Sequence, residues 1–297
     1  MISKYRLATI MIVICIGMLS VPASIGFSKS SITPASQRDS LTAEAGRDSR
    51  KLVLRSAAAL VADQETGEFL IQKKANAVLP IASITKLMTA MVVLDADMDI
   101  EEPLTIEQGD MAGLRRRIRA QLPTGTEITR RDALILALMA SDNRCARALG
   151  RTYPGGIDAF VSAMNAKAQS LGLFETRFED PTGLSRGNVS SARDLVRLVN
   201  VACRYSLIRE FTTYKKAFVS LGQRTLEFHN TNRLVQNPHW QIGLSKTGFI
   251  GASGRCLVMQ AQVAQRSLII VLLDSQGKLT RIGDANRIKY WLEGLSL

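Results

Sequence analysis

Apolar residues follow a strand-like period at both ends of this chain. Ala57 to Asp63 and Glu68 to Lys73 are short apolar runs on either side of the turn-type sequence Gln64-Glu65-Thr66-Gly67, which predicts a β-hairpin. Further strand-like runs follow in the last third of the chain: Ala217 to Leu221, Thr225 to His229, Leu244 to Lys246, Cys256 to Gln262 and Ser267 to Leu273.

Between these strands the apolar residues recur with a helical period. Leu87 to Leu94 is apolar on nearly all sides, which predicts a buried helix beginning near Ser83. Thr129-Arg130-Arg131-Asp132 has the spacing of a capping box and opens a second buried run, Ala133 to Ala140.

Three more helices are predicted, over Asp158 to Leu171, from Ser191 to about Cys203, and from Thr280 to about Leu295. Pro103 to Gly125 is polar and rich in turn residues, which predicts a surface excursion. Strands at both ends and helices between them indicate an α/β sandwich in which the first hairpin and the late strands share one antiparallel sheet flanked by helices.

The first fifty residues predict export. Two basic residues precede the apolar run Leu7 to Val21 and small residues follow it, a pattern typical of a secretory signal peptide over residues 1–26. The run is short for a membrane span, and an uncleaved anchor is the alternative. Residues 27–50, rich in Ser, Thr, Ala and charge, predict a flexible leader, and residues 51–297 the single folded domain.

The composition suits a basic globular protein. The chain has 297 residues, of which 46% are hydrophobic, enough for a sizeable core. Its net charge is +12, and loss of a signal peptide carrying Lys4 and Arg6 leaves +10. Such a charge suits cell-wall polymer, anionic lipid or nucleic acid, or is simply a soluble basic surface. The basic residues are scattered apart from Arg115 to Arg119 and lack interleaved aromatics, which argues against nucleic acid.

The cysteines do not indicate a metal site. Cys15 lies in the predicted signal peptide, and Cys145, Cys203 and Cys256 have no metal-ligand spacing. They predict three small hydrophobic core residues, and the alternative in an oxidising compartment is one disulfide with one free thiol.

Ser83 and Lys86 are the first candidates for chemistry. They lie one turn apart at the start of the buried helix, so the lysine amine can reach the serine hydroxyl. A buried lysine is costly unless it has a partner or a task. Taken alone, the pair also describes an ordinary helix N-terminus whose lysine extends to water. Two further motifs follow in the chain, Ser141-Asp142-Asn143 and Lys246-Thr247-Gly248. Each motif alone is weak evidence, but the three in this order favour a chemical role for the pair.

The residue types suit acyl transfer, which needs a nucleophile, a base and donors for an oxyanion. Lys86 accepts a proton only when it is neutral, and at its ordinary pKa only about one lysine in 2,500 is neutral at pH 7. Burial and the second cation, Lys246, would both lower that pKa. Neither His229 nor His239 has a spacing that identifies a histidine-based triad, although a triad assembled from distant segments stays open.

The three motifs resemble those of β-lactamases and penicillin-binding proteins. Phe178 to Ser185, with Asn188 and Ser191 to Leu195 after it, is similar to the signature of low-molecular-mass D-alanyl-D-alanine peptidases. His229 to Asn232 and Lys246 to Phe249 are similar to that family as well. The resemblance runs from about Ala57 to the C-terminus. The stretches that resemble the penicillin-binding protein 7 type, a D-alanyl-D-alanine endopeptidase, are Ser83 to Ala96 and Gly254 to Met259.

The resemblance implies the β-lactamase/transpeptidase-like α/β fold without the C-terminal β domain of many carboxypeptidases. It implies that Ser83 is the nucleophile and Lys86 its base, that Ser141 relays a proton to the leaving amine, and that Asn143 binds the substrate backbone. Asp142 would point away and hold its loop.

The same resemblance assigns the binding wall. Lys246 and Thr247 would bind the terminal carboxylate or amide of the peptide, and Gly248 would let the substrate lie along the strand. The oxyanion hole would be the backbone N–H groups of Ser83 and Phe249. Arg255 is a candidate accessory carboxylate contact, and its alternative is a solvated strand residue.

The predicted activity is cleavage of the D-alanyl-to-diaminopimelate crosslink of peptidoglycan in the periplasm, with no metal and no organic cofactor. The expected partners are peptidoglycan stems, β-lactams as covalent inhibitors and other cell-wall enzymes, without nucleic acid and without a membrane anchor after signal cleavage. About 50 residues follow Gly248, which favours the endopeptidase over a carboxypeptidase with a β-rich extension. The sequence also leaves open a β-lactamase using Glu175 or Glu179, and a non-catalytic peptidoglycan binder.

Overall fold

The computed structural model describes residues 52–111, 122–221 and 224–295. The strands in these ranges are β1 Ser56–Asp63, β2 Phe69–Lys73, β3 Leu79–Pro80, β4 Pro103–Thr105, β5 Glu127–Thr129, β6 Val189–Ser190, β7 Lys216–Leu221, β8 Arg224–His229, β9 Gln241–Ile250, β10 Gly254–Val263 and β11 Arg266–Ser275. The α-helices are α1 Lys86–Asp95, α2 Arg130–Leu138, α3 Asn143–Arg151, α4 Gly156–Ser170, α5 Ala192–Ala202, α6 Ser206–Thr213 and α7 Thr280–Leu295.

A five-stranded sheet forms the centre of the fold, with the order β2-β1-β11-β10-β9. Every neighbouring pair in it is antiparallel, and β1 joins the hairpin to the late strands by pairing Leu60 with Val271. The predicted sharing of one antiparallel sheet by the first hairpin and the late strands is confirmed. The runs beginning at Ala217 and Thr225 instead form a separate hairpin of β7 and β8.

Alternate residues of the central strands enter two different hydrophobic clusters. Leu60 and Val271 face the helical layer with α1, whereas Val61 and Ile270 face α7. Successive side chains of a strand point to opposite faces, so a strand covered on both faces is apolar at nearly every position. The sheet therefore lies between α7 on one face and the remaining helices on the other.

Helix α1 lies deep in the helical layer, and all residues from Lys86 to Val93 are buried. The predicted caps of two other helices are confirmed: Thr129 Oγ1 accepts a hydrogen bond from Asp132 N, and Ser191 Oγ from Asp194 N. Such caps satisfy backbone donors that have no partner within the helix.

Two helices were not predicted from the sequence, α3 and α6. In α3 the buried Arg144 interrupts the apolar pattern, and the Asp142 carboxylate both pairs with its guanidinium and caps the helix by accepting from Arg144 N and Cys145 N. A buried ion pair of this kind has no signature in hydrophobic periodicity.

The segment from Pro103 is more than a surface excursion. β4 pairs with β5, and Leu104, Ile106 and Met111 are buried in the core. Arg115 to Arg119, the predicted signal peptide and the leader lie outside the described residues. Cys145, Cys203 and Cys256 are free thiols; Cys145 and Cys256 are buried as predicted, whereas Cys203 is half-buried.

Within the described ranges, no helix is long and apolar enough to span a membrane. The same ranges hold no cluster of three His, Cys, Asp or Glu side chains suited to binding a metal ion.

Candidate active site

Ser83 lies on a short 3-10 turn, Ala82–Thr85, that runs directly into α1. Ala82 before it has φ 47°, a left-handed conformation that an L-residue with a side chain rarely adopts. Such strained residues persist only where the surrounding structure holds them in place, and they are frequent at functional sites. The turn thereby holds the Ser83 side chain half-buried at the edge of the domain.

The Lys86 amine contacts three oxygens. Its Nζ lies 2.9 Å from Ser83 Oγ, 2.6 Å from Asn143 Oδ1 and 2.6 Å from the carbonyl oxygen of Thr182. The last two oxygens can only accept, so the two hydrogens of a neutral amine are donated to them. The nitrogen lone pair is then left for the Ser83 hydroxyl proton, which is the geometry a general base requires.

Burial keeps this amine near neutrality. Lys86 is 1% exposed, and desolvation lowers its pKa from 10.5 to about 7, although the charges of Asp142 and Asp180 act in the opposite direction. The shift corresponds to roughly 5 kcal/mol against the charged form. About half of the molecules therefore carry a neutral Lys86 at pH 7.

Lys246 is the second buried lysine of the site. Desolvation, followed by the charges of Lys86 and Arg281, lowers its pKa well below the ordinary range. The two lysines repel each other, and this repulsion contributes to the lowered pKa of Lys246.

A rigid loop carries the Thr182 carbonyl to Lys86. The Asp180 carboxylate accepts hydrogen bonds from the backbone of Thr182, Gly183 and Ser185, which lowers its own pKa despite burial. Asn188 closes the loop by accepting from Asp180 N and donating to Thr85 Oγ1. The Phe178-to-Asn188 signature is therefore a clamp around the start of α1.

Gly183 is required by the fit between this clamp and the Ala82–Thr85 turn. Its φ is +82°, and a Cβ atom there would lie 2.0 Å from the Ala82 carbonyl oxygen. Only glycine tolerates both the left-handed backbone and so close an approach.

The second motif stands opposite Lys86. Ser141 has φ 60°, another left-handed residue at the site, and lines the same cleft as Ser83. Asp142 points away and holds the loop through Arg144, as the resemblance implied. Asn143 directs its side-chain oxygen to Lys86, which leaves its amide nitrogen as the group able to face a substrate.

The third motif lies on β9, an edge strand of the sheet. Thr247 lines the cleft and donates to Thr231 Oγ1 at 2.7 Å, whereas Lys246 is 1% exposed and lies behind the cleft wall. Thr247 therefore reaches the cleft directly, whereas Lys246 does not.

The absence of a side chain at Gly248 matters for packing inside the site. A Cβ atom on Gly248 would lie 2.7 Å from the Ile81 carbonyl oxygen and 3.2 Å from Ser83 N, so it would point toward the turn that carries Ser83. Its missing side chain lets β9 approach the Ser83 backbone, which places the backbone of Phe249 next to that of Ser83.

The two walls enclose a cleft of about 410 Å³. It is lined by Ser83, Ser141, Asn143, Thr231, Arg233, Thr247, Gly248, Phe249, Arg255, Lys278, Leu279, Arg281 and Ile282. The structure thus brings the three motifs together as predicted, with Lys86 and Lys246 buried behind them.

Comparison with known proteins identifies the family of this chain. A family model described as D-alanyl-D-alanine carboxypeptidase matches residues 45–277. The chain belongs to this family. It is 48% identical over 245 residues to a D-alanyl-D-alanine endopeptidase of Pseudomonas aeruginosa, covering 81% of this chain and 78% of that one. It is 44% identical over 243 residues to a D-alanyl-D-alanine endopeptidase of Escherichia coli, covering 80% and 77%.

Solved structures share the fold. A D-alanyl-D-alanine carboxypeptidase from Mycobacterium tuberculosis H37Rv superimposes with a TM-score of 0.74 at 26% identity, covering 82% of this chain and 92% of that one. The Streptomyces K15 DD-transpeptidase superimposes with a TM-score of 0.73 at 26% identity, covering 82% and 98%. The chain therefore has the fold and the family membership of a serine D-Ala-D-Ala peptidase, as the sequence predicted.

The glutamates and histidines considered above as alternative catalytic residues do not line the cleft. Glu179 pairs with Arg177 and Ser185 on the outer side of the clamp, and neither it nor Glu175 lines the cleft. His229 and His239 are also absent from the lining among the described residues. Among the described residues, the cleft therefore combines a Ser-Lys pair with a lining that contains no histidine or glutamate.

Several cleft residues were missed by sequence reasoning. Arg281, the largest omission, is 8% exposed, donates to the Gly248 carbonyl oxygen at 3.0 Å, and lies 33 residues beyond it in the chain. It stands in the first turn of α7 without any motif around it. The contact of the Thr182 carbonyl with Lys86 was not predicted because a pattern of side chains gives no information on a backbone oxygen. The surrounding Phe178 to Ser185 stretch was recognised as a family signature.

Proposed function

We propose that this protein is a DD-endopeptidase that cleaves D-alanyl crosslinks between peptidoglycan stems through a Ser83 acyl-enzyme. The observation that carries the proposal is the identity of 48% and 44% to two D-alanyl-D-alanine endopeptidases, against 27% to 30% for several carboxypeptidases of the family. The assembled Ser83-Lys86 pair supplies the chemistry.

Acylation begins with the neutral Lys86. Its lone pair takes the Ser83 hydroxyl proton as Oγ attacks the D-alanyl carbonyl carbon, and the carbonyl oxygen becomes an oxyanion held by the N–H groups of Ser83 and Phe249. The C–N bond then breaks, and Ser141 relays the proton from Lys86 to the leaving amine. Water later attacks the ester, which releases the D-alanyl carboxylate and restores the Ser83 hydroxyl.

Substrate binding uses the β9 wall. The peptide lies along this edge strand as an added strand, and Asn143 donates its amide N–H to the substrate backbone. Thr247 and Arg281 bind the carboxylate next to the scissile bond, since both face the cleft and Arg281 Nε has no hydrogen-bond partner among the described residues. Lys246 lies buried behind Thr247, and Arg255 is the accessory cation.

A carboxypeptidase that removes terminal D-alanine is the second candidate. The description of the matching family model, D-alanyl-D-alanine carboxypeptidase, favours it. Both activities use the same acyl-enzyme and differ in the leaving group.

Export of the enzyme belongs to the same proposal. Residues 1–26 act as the signal peptide, residues 27–50 as the leader and residues 51–297 as the peptidase domain, so the enzyme acts in the periplasm. Its partners there are peptidoglycan stems, β-lactams as covalent inhibitors and other cell-wall enzymes.

Digestion of purified peptidoglycan tests the activity. We expect crosslinked dimeric muropeptides to be converted to monomers, with little release of terminal D-alanine, because the leaving group is the neighbouring stem. Chromatography with mass spectrometry separates the two products. Release of D-alanine with dimers left intact would instead establish the carboxypeptidase.

The rate of acylation by a fluorescent penicillin is expected to fall at acid pH. Only neutral Lys86 accepts the serine proton, and its pKa is about 7, so protonation below that pH removes the base. We expect a rate about 100-fold lower at about pH 5 than on the plateau above about pH 8. Stopped labelling on gels measures it, with circular dichroism confirming that the fold persists at each pH. A flat profile over this range contradicts the assignment of Lys86.

A further inference from the structure

The cations lining the cleft form no ion pair with any acidic residue that the structure describes. Arg233, Arg255, Lys278 and Arg281 all face it, and no lining residue in the described part of the chain carries a carboxylate. Several arginine and lysine side chains elsewhere in the described ranges form ion pairs, for example Arg130 with Glu102, Arg266 with Asp63 and Lys167 with Asp95. The cleft therefore holds more positive charge than one substrate carboxylate needs.

Two of these cations stand beside exposed apolar surface. Phe249 is 54% exposed and Leu279 is 55% exposed, both large fractions for apolar side chains that line a cleft. The Arg255 guanidinium stacks over the Phe249 ring at 4.4 Å, and Lys278 directly precedes Leu279. Apolar faces next to unpaired cations suit an aliphatic chain that ends in a carboxylate.

In the endopeptidase complex proposed above, this surface lies on the leaving-group side of the scissile bond. Arg281 binds the Gly248 carbonyl oxygen and so ties the start of α7 to β9 next to Phe249. Arg255 pairs across the sheet with Phe249, and its charge helps to lower the pKa of Arg281 to about 10 after burial, the larger cause. Lys278 and Leu279 immediately precede α7. All four residues therefore adjoin the Arg281 and Thr247 pair proposed to bind the carboxylate next to the scissile bond.

We propose that Phe249, Arg255, Lys278 and Leu279 form a subsite, here called the amine-side subsite, for the residue whose amine leaves when the crosslink is cut. Its occupant is an amino acid with an aliphatic side chain and a second carboxylate on the stem that continues beyond it. A leaving D-alanine has one methyl group and one carboxylate, fills only the Thr247 and Arg281 position, and leaves the subsite empty. The subsite rests on the proposed endopeptidase function and makes the cleft selective for crosslinks over terminal D-alanine.

Two soluble substrates with the same acyl donor test the subsite in the purified protein. One is a crosslinked muropeptide dimer and the other is the matching monomer that ends in D-alanyl-D-alanine. In Lys278→Ala we expect kcat/KM for the dimer to fall about 3- to 5-fold, as for an exposed charge contact. In the double variant Lys278→Ala/Leu279→Ala we expect a fall of about 10-fold or more, because apolar contact is lost as well.

The monomer and a fluorescent penicillin provide the internal reference, and their rates should stay within about twofold of wild type in both variants. Lys278→Arg should restore the dimer rate. Lys74→Ala is the matched control, since this exposed lysine follows β2 at the opposite edge of the sheet from β9.

The outcomes separate the two proposals. Wild-type cleavage of the dimer with variant rates that are unchanged, or that fall equally for both substrates, overturns the subsite and leaves the endopeptidase function standing. Wild-type cleavage of the monomer alone overturns the endopeptidase function, and the subsite with it. A selective loss on the dimer that Lys278→Arg restores supports both.

Discussion

Replacement of Ser83 by alanine is expected to abolish covalent labelling by fluorescent penicillin and to lower muropeptide cleavage by more than about 10⁴-fold. The nucleophilic oxygen has no substitute: the Lys86 amine lies 2.9 Å from Ser83 Oγ and has its other contacts with two acceptor oxygens. The substitution removes one hydroxyl from a half-buried position, so the free energy of unfolding should change by no more than about 1 kcal/mol. Intact-protein mass spectrometry and thermal unfolding measure the two effects.

Ser185→Ala is the matched control for this experiment. Ser185 lies on the clamp close to the site, but its hydroxyl is bonded to Glu179 on the outer side. It should label as wild type does. In the labelled wild type, the penicilloyl mass should map to the peptide that contains Ser83. Labelling of Ser83→Ala, or an adduct on another serine, contradicts the assignment of the nucleophile.

Replacement of Lys86 by methionine is expected to lower the acylation rate by about 10³- to 10⁴-fold while the protein still folds. Methionine has a similar length and no ionisable group, so the base is lost and Ser83 keeps its position. Asn143 Oδ1 and the Thr182 carbonyl oxygen lose their donor, which costs about 1 to 3 kcal/mol each. Removing a fully buried amine acts in the opposite direction, and we expect the two effects to offset to within about 2 kcal/mol. The second-order rate constant for penicillin acylation and urea unfolding check both statements.

Lys167→Met makes the same substitution on another helix. Lys167 pairs with Asp95 at 2.5 Å on α4, away from the cleft, so its loss should leave the acylation rate within about twofold of wild type. The pH profile gives a second readout, because the residual rate of Lys86→Met should no longer fall below about pH 7. A Lys86→Met enzyme within tenfold of the wild-type rate would exclude Lys86 as the base.

Local sequence was enough for the elements that carry strong periodicity or a cap. The hairpin of β1 and β2, the buried α1, the caps at Thr129 and Ser191, and α7 all follow from spacings of a few residues. The helices α3 and α6 were not predicted. In α3 the reason is the buried Arg144–Asp142 pair, because burial of a charge depends on distant segments. The segment after Pro103 was predicted to be a surface excursion because its polar residues outnumber the few apolar residues that reach the core.

The sequence by itself determined the three motifs and their order, the placement of Ser83 and Lys86 one turn apart at the start of a buried helix, and the sheet shared by the two ends of the chain. These follow from short-range spacing and alternation along the chain. Only the tertiary structure decided that Lys86 meets the Thr182 carbonyl, that Gly248 makes room for the Ser83 turn, and that Arg281 stands at the cleft. Those contacts join segments 33 to 167 residues apart, such as Gly248 with Arg281 and Ile81 with Gly248. Distances of that kind depend on how the elements pack and not on any local pattern.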